Sequence, residues 1–337
     1  MTTVNRSPLL GLLDDEHLLD VPGVRPGSVP DALWEEALLL PARDLLGRPG
    51  KGLRGRLVEA GWRLGGGVGS CPTPVPLLVE VLHAGSLVVD DIEDGSTQRR
   101  GEPALHLRYG IPRALNLGNW MYFWPQQMVA RLGLPTDVEL ALHHRVNDTL
   151  YRCHLGQGLD LAAHVAELAR ADVPSVVATT TQLKTASLTE LAVTLGALVA
   201  LARPARVEAL ARFGRDAGVA LQMLDDLGNL VGHATPAKQL EDLRLGRVTW
   251  AWAWLAERVD DATYARLARR VRALAASPDD APALAAEIAA HMREHGLRQA
   301  HARLASAIEG LRGAVGAAAD PFAEELQDLG ERYVAAV

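Results

Sequence analysis

Apolar residues recur at spacings of three and four along most of this 337-residue chain, the pattern of helices that bury one face. It predicts helices over residues 32–46, 52–65, 75–92, 112–132, 136–163, 173–200, 205–231, 244–258, 260–275, 280–295 and 297–336, with short Pro, Gly or Asp breaks between them. Strand-like alternation is scarce. Trp250, Trp252 and Trp254 do alternate, but alanines lie between them and helical pattern surrounds them, so this stretch is also expected to be helix. Residues 1–30 carry Pro22, Pro26 and Pro30 and predict a loosely ordered arm. No fixed-period repeat and no long polar linker divides the remainder. Residues 31–337 are therefore expected to form one large helical domain with its functional cavity inside the helix assembly.

Composition agrees with an all-α fold: Ala and Leu dominate, and β-branched and aromatic residues are sparse. A net charge of −7, from 34 basic and 41 acidic residues, offers no basic field for a nucleic-acid backbone. Cys71 and Cys153 make neither a disulfide framework nor a metal cluster and are expected to be packing residues in a reducing compartment. The apolar patch Leu9 to Leu13 runs into Asp14, Asp15 and Glu16 without a basic leader, and no apolar run is long enough to span a bilayer. The expectation is a soluble, cytoplasmic protein with no nucleic-acid partner and no stable membrane insertion.

Two acidic sets change the picture. His83, Asp90 and Asp94 lie seven and four residues apart at the end of an apolar helical run, so a helix puts them on one face. Carboxylates at a helix C-terminus oppose the macrodipole and need a compensating partner. Gln222, Asp225, Asp226 and Asn229 follow another apolar run at spacings of three and four. Two such sets on apolar helices call for cations, and hard oxygen donors suit Mg²⁺, which shares phosphate oxygens readily. Gly50-Lys51-Gly52-Leu53-Arg54 and Arg99-Arg100 add phosphate-binding side chains. Of the 34 basic residues only Lys51, Lys184 and Lys238 are lysines. Taken singly, each acidic or basic set could be an ordinary solvated surface.

Taken in order, these stretches resemble the trans-isoprenyl diphosphate synthases, and most of all the eukaryotic-type geranylgeranyl diphosphate synthases, over about residues 45–255. The matching segments are Pro-Gly-Lys-Gly-Leu-Arg at 49–54, Leu-His-Ala-Gly-Ser-Leu at 82–87, Asp-Asp-Ile-Glu-Asp at 90–94 and Arg-Arg-Gly at 99–101. Tyr-Gly-Ile-Pro at 109–112, Gly-Gln-Gly-Leu-Asp at 156–160, Lys184-Thr185, Asp-Asp-Leu-Gly-Asn-Leu at 225–230 and Glu-Asp-Leu at 241–243 complete the set. The resemblance implies a single helical bundle of the isoprenoid synthase type with a central substrate cavity. It also implies a Mg²⁺-dependent condensation of isopentenyl diphosphate with dimethylallyl, geranyl or farnesyl diphosphate, most simply to a C20 product, by a homodimer with three ions per active site.

By the same resemblance, Lys51, Arg54, His83 and Arg100 would hold isopentenyl diphosphate. Arg99, Lys184, Thr185, Gln222 and Asn229 would hold the allylic diphosphate, joined by Lys238 in an uncertain register. Asp90, Asp94 and Asp225 would ligate metal and, with Arg99 and Lys184, carry the chemistry. Gly85 and Ser86 are small and would leave the upper pocket open, whereas Tyr122, Phe123 and His154 would form its floor, with Trp120 and Trp124 able to narrow it. Departures from the family pattern are Asn229 for aspartate, as in the eukaryotic-type branch, Ala186 for glycine, Arg247 for lysine, and a shortened stretch between Asp226 and Glu241. Two other readings share some of these residues. A class I terpene cyclase would need a downstream Ser and Glu that the sequence after Asp226 lacks, and a non-catalytic regulatory subunit would be expected to have lost acidic residues that remain here.

Overall fold

The computed structural model describes residues 7–15, 18–19, 23–25, 27–50, 52–231 and 239–335. The chain is all-α apart from one two-stranded hairpin among the described residues, and it divides into two compact units. The first comprises Met1–Glu59 and Ser70–His143, the second Ala60–Gly69 and His144–Val337.

In the first unit, α1 (Leu40–Gly47) follows a π turn at Glu35–Leu39 and leads to α2 (Leu53–Gly65), whose residues from Ala60 onward are assigned to the second unit. Next come α3 (Pro74–Glu93), the hairpin of β1 (Gln98–Arg99) and β2 (Glu102–Pro103), a short helix Leu105–Tyr109, and α4 (Ile111–Ala130). A proline in the first turn starts both α3 and α4, where its missing N–H has no helical partner to lose. Leu78, Val81, Leu82 and Val88 of α3 and Leu117 and Met121 of α4 are buried, at the three-and-four spacing seen in the sequence. Gly85 is at their crossing: a Cβ there would lie 2.7 Å from Met121 Cβ and 2.9 Å from the Gly118 carbonyl oxygen. Its small size admits α4 and does not open a pocket above the acidic motif, which corrects the expectation.

The second unit contains the C-terminal part of α5 (Thr136–Ala162), then α6 (Val173–Thr181), a π turn at Gln182–Ala186, α7 (Ser187–Val199) and α8 (Pro204–Val231). Residues 187–197 of α7 are buried on every side, as a helix apolar all round should be. Its one buried carboxylate, Glu190, pairs with Arg215 at 2.6 Å and Arg152 at 3.2 Å. Gly214 and Gly218 let α8 come close: Cβ atoms there would lie 2.8 Å from Glu190 Cα and from Ala186 Cα.

The unit continues with α9 (Trp250–Arg258), α10 (Asp261–Ala273), α11 (Ala281–Val315) and α12 (Asp320–Ala335). The alternating tryptophans are helical, as expected, and Trp252 and Trp254 are fully buried. Two boundaries differ from the sequence pattern. The stretch 244–258 is broken, because a short helix Glu241–Leu245 stops at Gly246, whose φ of +68° is left-handed. The break expected at residue 296 is absent: Gly296 is inside α11, where a Cβ would lie 2.4 Å from the Trp254 ring. Packing selects glycine there, and the helix ends instead at Gly316. No helix among the described residues is long and apolar enough to cross a membrane.

Candidate active site

At the end of α3 the two adjacent aspartates have different fates. Asp91 turns inward and is 3% exposed; Arg99 Nε donates to its two oxygens at 2.8 and 2.9 Å, and Arg99 Nη2 also donates to it. Asp90 keeps a partly exposed carboxylate, 3.7 Å from Arg99 Nη2. Asp94 caps the helix and is also partly exposed. One arginine thus offsets the negative end of α3 and holds Asp91, while Asp90 and Asp94 keep partial exposure. Arg99, expected to reach the allylic diphosphate, is committed to Asp91 in this structure.

The hairpin places the next arginine. β1 and β2 pair Gln98 with Pro103 and Arg99 with Glu102, leaving Arg100 and Gly101 as a two-residue turn with φ of 56° and 82°. Two positive φ values are the requirement of a type I′ turn, which glycine meets freely and arginine does not. The Arg100 guanidinium lies against the backbone at Gly50, where a Cβ would come within 3.1 Å of it. Burial lowers the His83 pKa well below its usual value, and the charges of Arg54, Arg100 and Arg99 lower it further. His83 is therefore neutral at physiological pH, in a concentration of positive charge suited to an anion. Burial likewise lowers the Arg100 pKa; Glu80 opposes that effect, and Arg99 and Arg48 add to it. Lys51 lies outside the described residues.

In the second unit, a pocket of about 120 Å³ is lined by Asp160, Lys184, Thr185, Gln222, Asp226, Asp242 and Arg247, among others. Lys184 and Thr185 belong to the π turn between α6 and α7, a local widening of the helix often found at functional sites. Lys184 Nζ reaches Asp160 at 2.9 Å. Thr185 donates to Gln222 Oε1 at 2.7 Å, and Gln222 Nε2 donates to Asp226 at 2.6 Å. The other Asp226 oxygen accepts from the Trp250 backbone N–H at 2.8 Å, and the Trp250 indole donates to Thr181 at 2.9 Å. As in α3, one aspartate of the pair is buried as a brace and the other, Asp225, is exposed. Asn229 is partly exposed one turn further on, and Lys238 lies outside the described residues.

Burial, the charges of Asp160, Asp225 and Glu241, and a weaker opposing pull from Lys184 set the Asp242 pKa, pushed up to about 7. Burial and then Asp242 raise Asp226 well above the usual carboxylate range, against the lowering effect of its hydrogen bonds from Trp250 and Gln222. Such crowding of carboxylates is relieved by a bound cation, and the donor set, all hard oxygen, fits Mg²⁺. No group of three or more His, Cys, Asp or Glu side chains is pre-arranged around one ion among the described residues. Water or phosphate oxygens would have to complete the coordination.

Asp160 and Asp242 fall within matching segments, but the spacing of Gln-Gly-Leu-Asp from Lys-Thr does not reveal the Lys184–Asp160 pair. Arg247 replaces a lysine and donates to the Asp160 carbonyl at 2.6 Å, bracing the same segment. The residues expected at the chain-length floor are not enclosed: Phe123 is 69% exposed, Tyr122 partly so, and His154 exposed. Trp120 and Trp124 stack at 4.5 Å.

Solved structures superpose on nearly the whole chain. The geranylgeranyl pyrophosphate synthase of Corynebacterium glutamicum, complexed with isoprenyl diphosphate and magnesium, matches 98% of this chain and 99% of its own with a TM-score of 0.75 at 20% identity. The decaprenyl diphosphate synthase of Rhodobacter capsulatus matches 97% and 94% with a TM-score of 0.70 at 22% identity. Both likenesses establish the fold. In sequence, the chain is 35% identical over 159 residues to a geranylgeranyl pyrophosphate synthase of Aspergillus fumigatus, a match that spans 42% of each chain. It is 30% identical over 232 residues to geranylgeranyl pyrophosphate synthase 2 of Zymoseptoria tritici, covering 66% of each. The sequence model of the polyprenyl synthetase family matches residues 35–288, three-quarters of the length, and with the motifs and the fold in agreement this chain belongs to the polyprenyl synthetase family.

Proposed function

We propose that the protein is a trans-prenyltransferase that condenses isopentenyl diphosphate with an allylic diphosphate, extending it by five carbons. The observation that carries this reading is the sorting of charge: the cationic side chains of Arg54 and Arg100 about a neutral His83 in the first unit, and a lysine-bearing, carboxylate-rich pocket in the second. A terpene cyclase has no use for the former, and a non-catalytic subunit has no reason to keep the latter.

In the proposed reaction Lys184, Thr185, Gln222 and Asn229 hold the allylic diphosphate. Asp90, Asp94 and Asp225 are the carboxylates proposed to ligate Mg²⁺, their neighbours Asp91 and Asp226 being buried. Mg²⁺, proposed at three positions by family resemblance, would neutralise charge on the leaving pyrophosphate. Lys184 stabilises the negative charge that grows on that group as the allylic C–O bond breaks and the electron pair leaves with it. The isopentenyl double bond, held by Arg54, His83, Arg100 and Lys51 through its own diphosphate, attacks the allylic carbon. The new C–C bond forms, and the departed pyrophosphate takes the proton that restores a double bond. No protein base is required.

The C20 product is proposed on the names of the matched relatives, and Tyr122, Phe123 and His154 are proposed as the length-limiting residues. A homodimer is proposed because each unit leaves apolar side chains in the open, among them Phe123 at 69% and Tyr151 at 67%. A cytoplasmic location is proposed because Cys71 and Cys153 form no disulfide. The test is product analysis with geranyl or farnesyl diphosphate, with and without isopentenyl diphosphate. The reading expects a longer prenyl diphosphate only when both are present; hydrocarbon released from the allylic substrate alone would mean a cyclase. Phe123→Ala is expected to give longer products, and an unchanged product distribution would remove that residue from the floor.

A further inference from the structure

The hairpin that carries Arg99 and Arg100 is also tied to the end of α1 by a buried side chain. Arg48, just after α1, is 5% exposed, and every arm of its guanidinium is used. Nε and Nη2 donate to Asp44 Oδ1 at 3.1 and 3.0 Å, and Nη1 donates to the Arg99 carbonyl oxygen at 3.0 Å. In the opposite direction, Arg100 Nη1 donates to the Arg48 carbonyl oxygen at 3.3 Å. Asp44 is fixed in turn, its second oxygen accepting from the Tyr109 hydroxyl at 3.0 Å and pairing with Arg108 at 2.9 Å.

An exposed arginine–aspartate pair one helical turn apart contributes little. This one is buried and reaches across 51 residues of sequence to a turn that is itself strained, since Arg100 occupies a left-handed φ of 56° that a side chain disfavours. Such a conformation persists only where surrounding contacts over-determine it. A planar fork that can serve a carboxylate and a carbonyl at once meets that need, and a lysine ammonium on a flexible stem does not.

We infer that Arg48 is a positioning residue for the donor substrate: it fixes Arg100 beside Arg54 and His83 and touches no substrate itself. This rests on the reading of that cluster as the isopentenyl diphosphate cradle.

The experiment is a double-mutant cycle in steady-state kinetics on the full-length chain, with Arg48→Met and Arg100→Ala alone and together. Arg48→Met is expected to raise KM for isopentenyl diphosphate about tenfold while changing KM for the allylic substrate less than about twofold. On the Arg100→Ala background the same change is expected to add less than about twofold, because the residue through which it acts is gone. Arg48→Lys serves in the same cycle if Arg48→Met does not fold, with an effect in the same direction. Wild-type KM in the Arg48 variant, a full effect persisting without Arg100, or an equal rise in both KM values would overturn the inference. If Arg100→Ala alone leaves KM for isopentenyl diphosphate unchanged, the cradle reading itself is wrong and the role of Arg48 falls with it.

Discussion

Replacing Arg99 by alanine removes the guanidinium that forks onto Asp91 and leaves a carboxylate that is 4% exposed in the side chain to face the interior. The arginine side chain is itself 9% exposed, so solvent screens the pair little. Breaking a buried, hydrogen-bonded ion pair from one side costs about 3–5 kcal/mol, most of it from the stranded charge and not from the lost attraction. A neutral pair, Asp91→Asn with Arg99→Gln, strands no charge and is expected to recover at least about half of that loss. Urea unfolding followed by far-ultraviolet circular dichroism, at matched pH and salt, measures both variants. A single Arg99→Ala loss below about 1 kcal/mol, or a double variant no more stable than the single one, would refute the reasoning.

Asp242 gives a pH signature: the folded chain holds its proton to about pH 7, well above the ordinary carboxylate range in which the unfolded chain loses it. Between those values the unfolded chain binds fewer protons, so the contribution of this group to stability falls as pH rises through the window. Asp242→Asn is expected to flatten that fall by roughly 2–4 kcal/mol in metal-free buffer, and parallel stability–pH curves for the two proteins would contradict it. Gly296→Ala pushes a methyl group into the Trp254 ring, a cost of about 1–3 kcal/mol that thermal unfolding would detect; an unchanged midpoint would mean that α11 and the ring shift freely.

Much of the fold was legible because helices announce themselves by period. The runs ending at Asp90 and Asp225, the long α7–α8 pair and the tryptophan-rich α9 all appear where the apolar spacing puts them. What period does not encode is what a glycine is for. Gly246 ends a helix through its φ, whereas Gly296 continues one because an aromatic ring occupies the place of its side chain, and in sequence the two look alike. The same limit misread Gly85, whose missing side chain makes room for α4. In the candidate site, helical spacing identified the acidic sets but could not say which aspartate of each pair faces inward. That depends on partners distant in sequence, Arg99 for Asp91 and the Trp250 backbone for Asp226. Asp160 and Asp242 were hidden for the same reason: they come close to Lys184 only once α5, the π turn and the segment before α9 are folded together.

The division of labour between the two charged sites is the claim on which the rest depends, and paired KM measurements on Arg54→Ala and Lys184→Ala test it most directly. The account predicts that Arg54→Ala raises KM for isopentenyl diphosphate about tenfold or more and leaves the allylic substrate within about twofold, with the reverse for Lys184→Ala. Both substitutions weakening the same substrate, or neither weakening any, would contradict it.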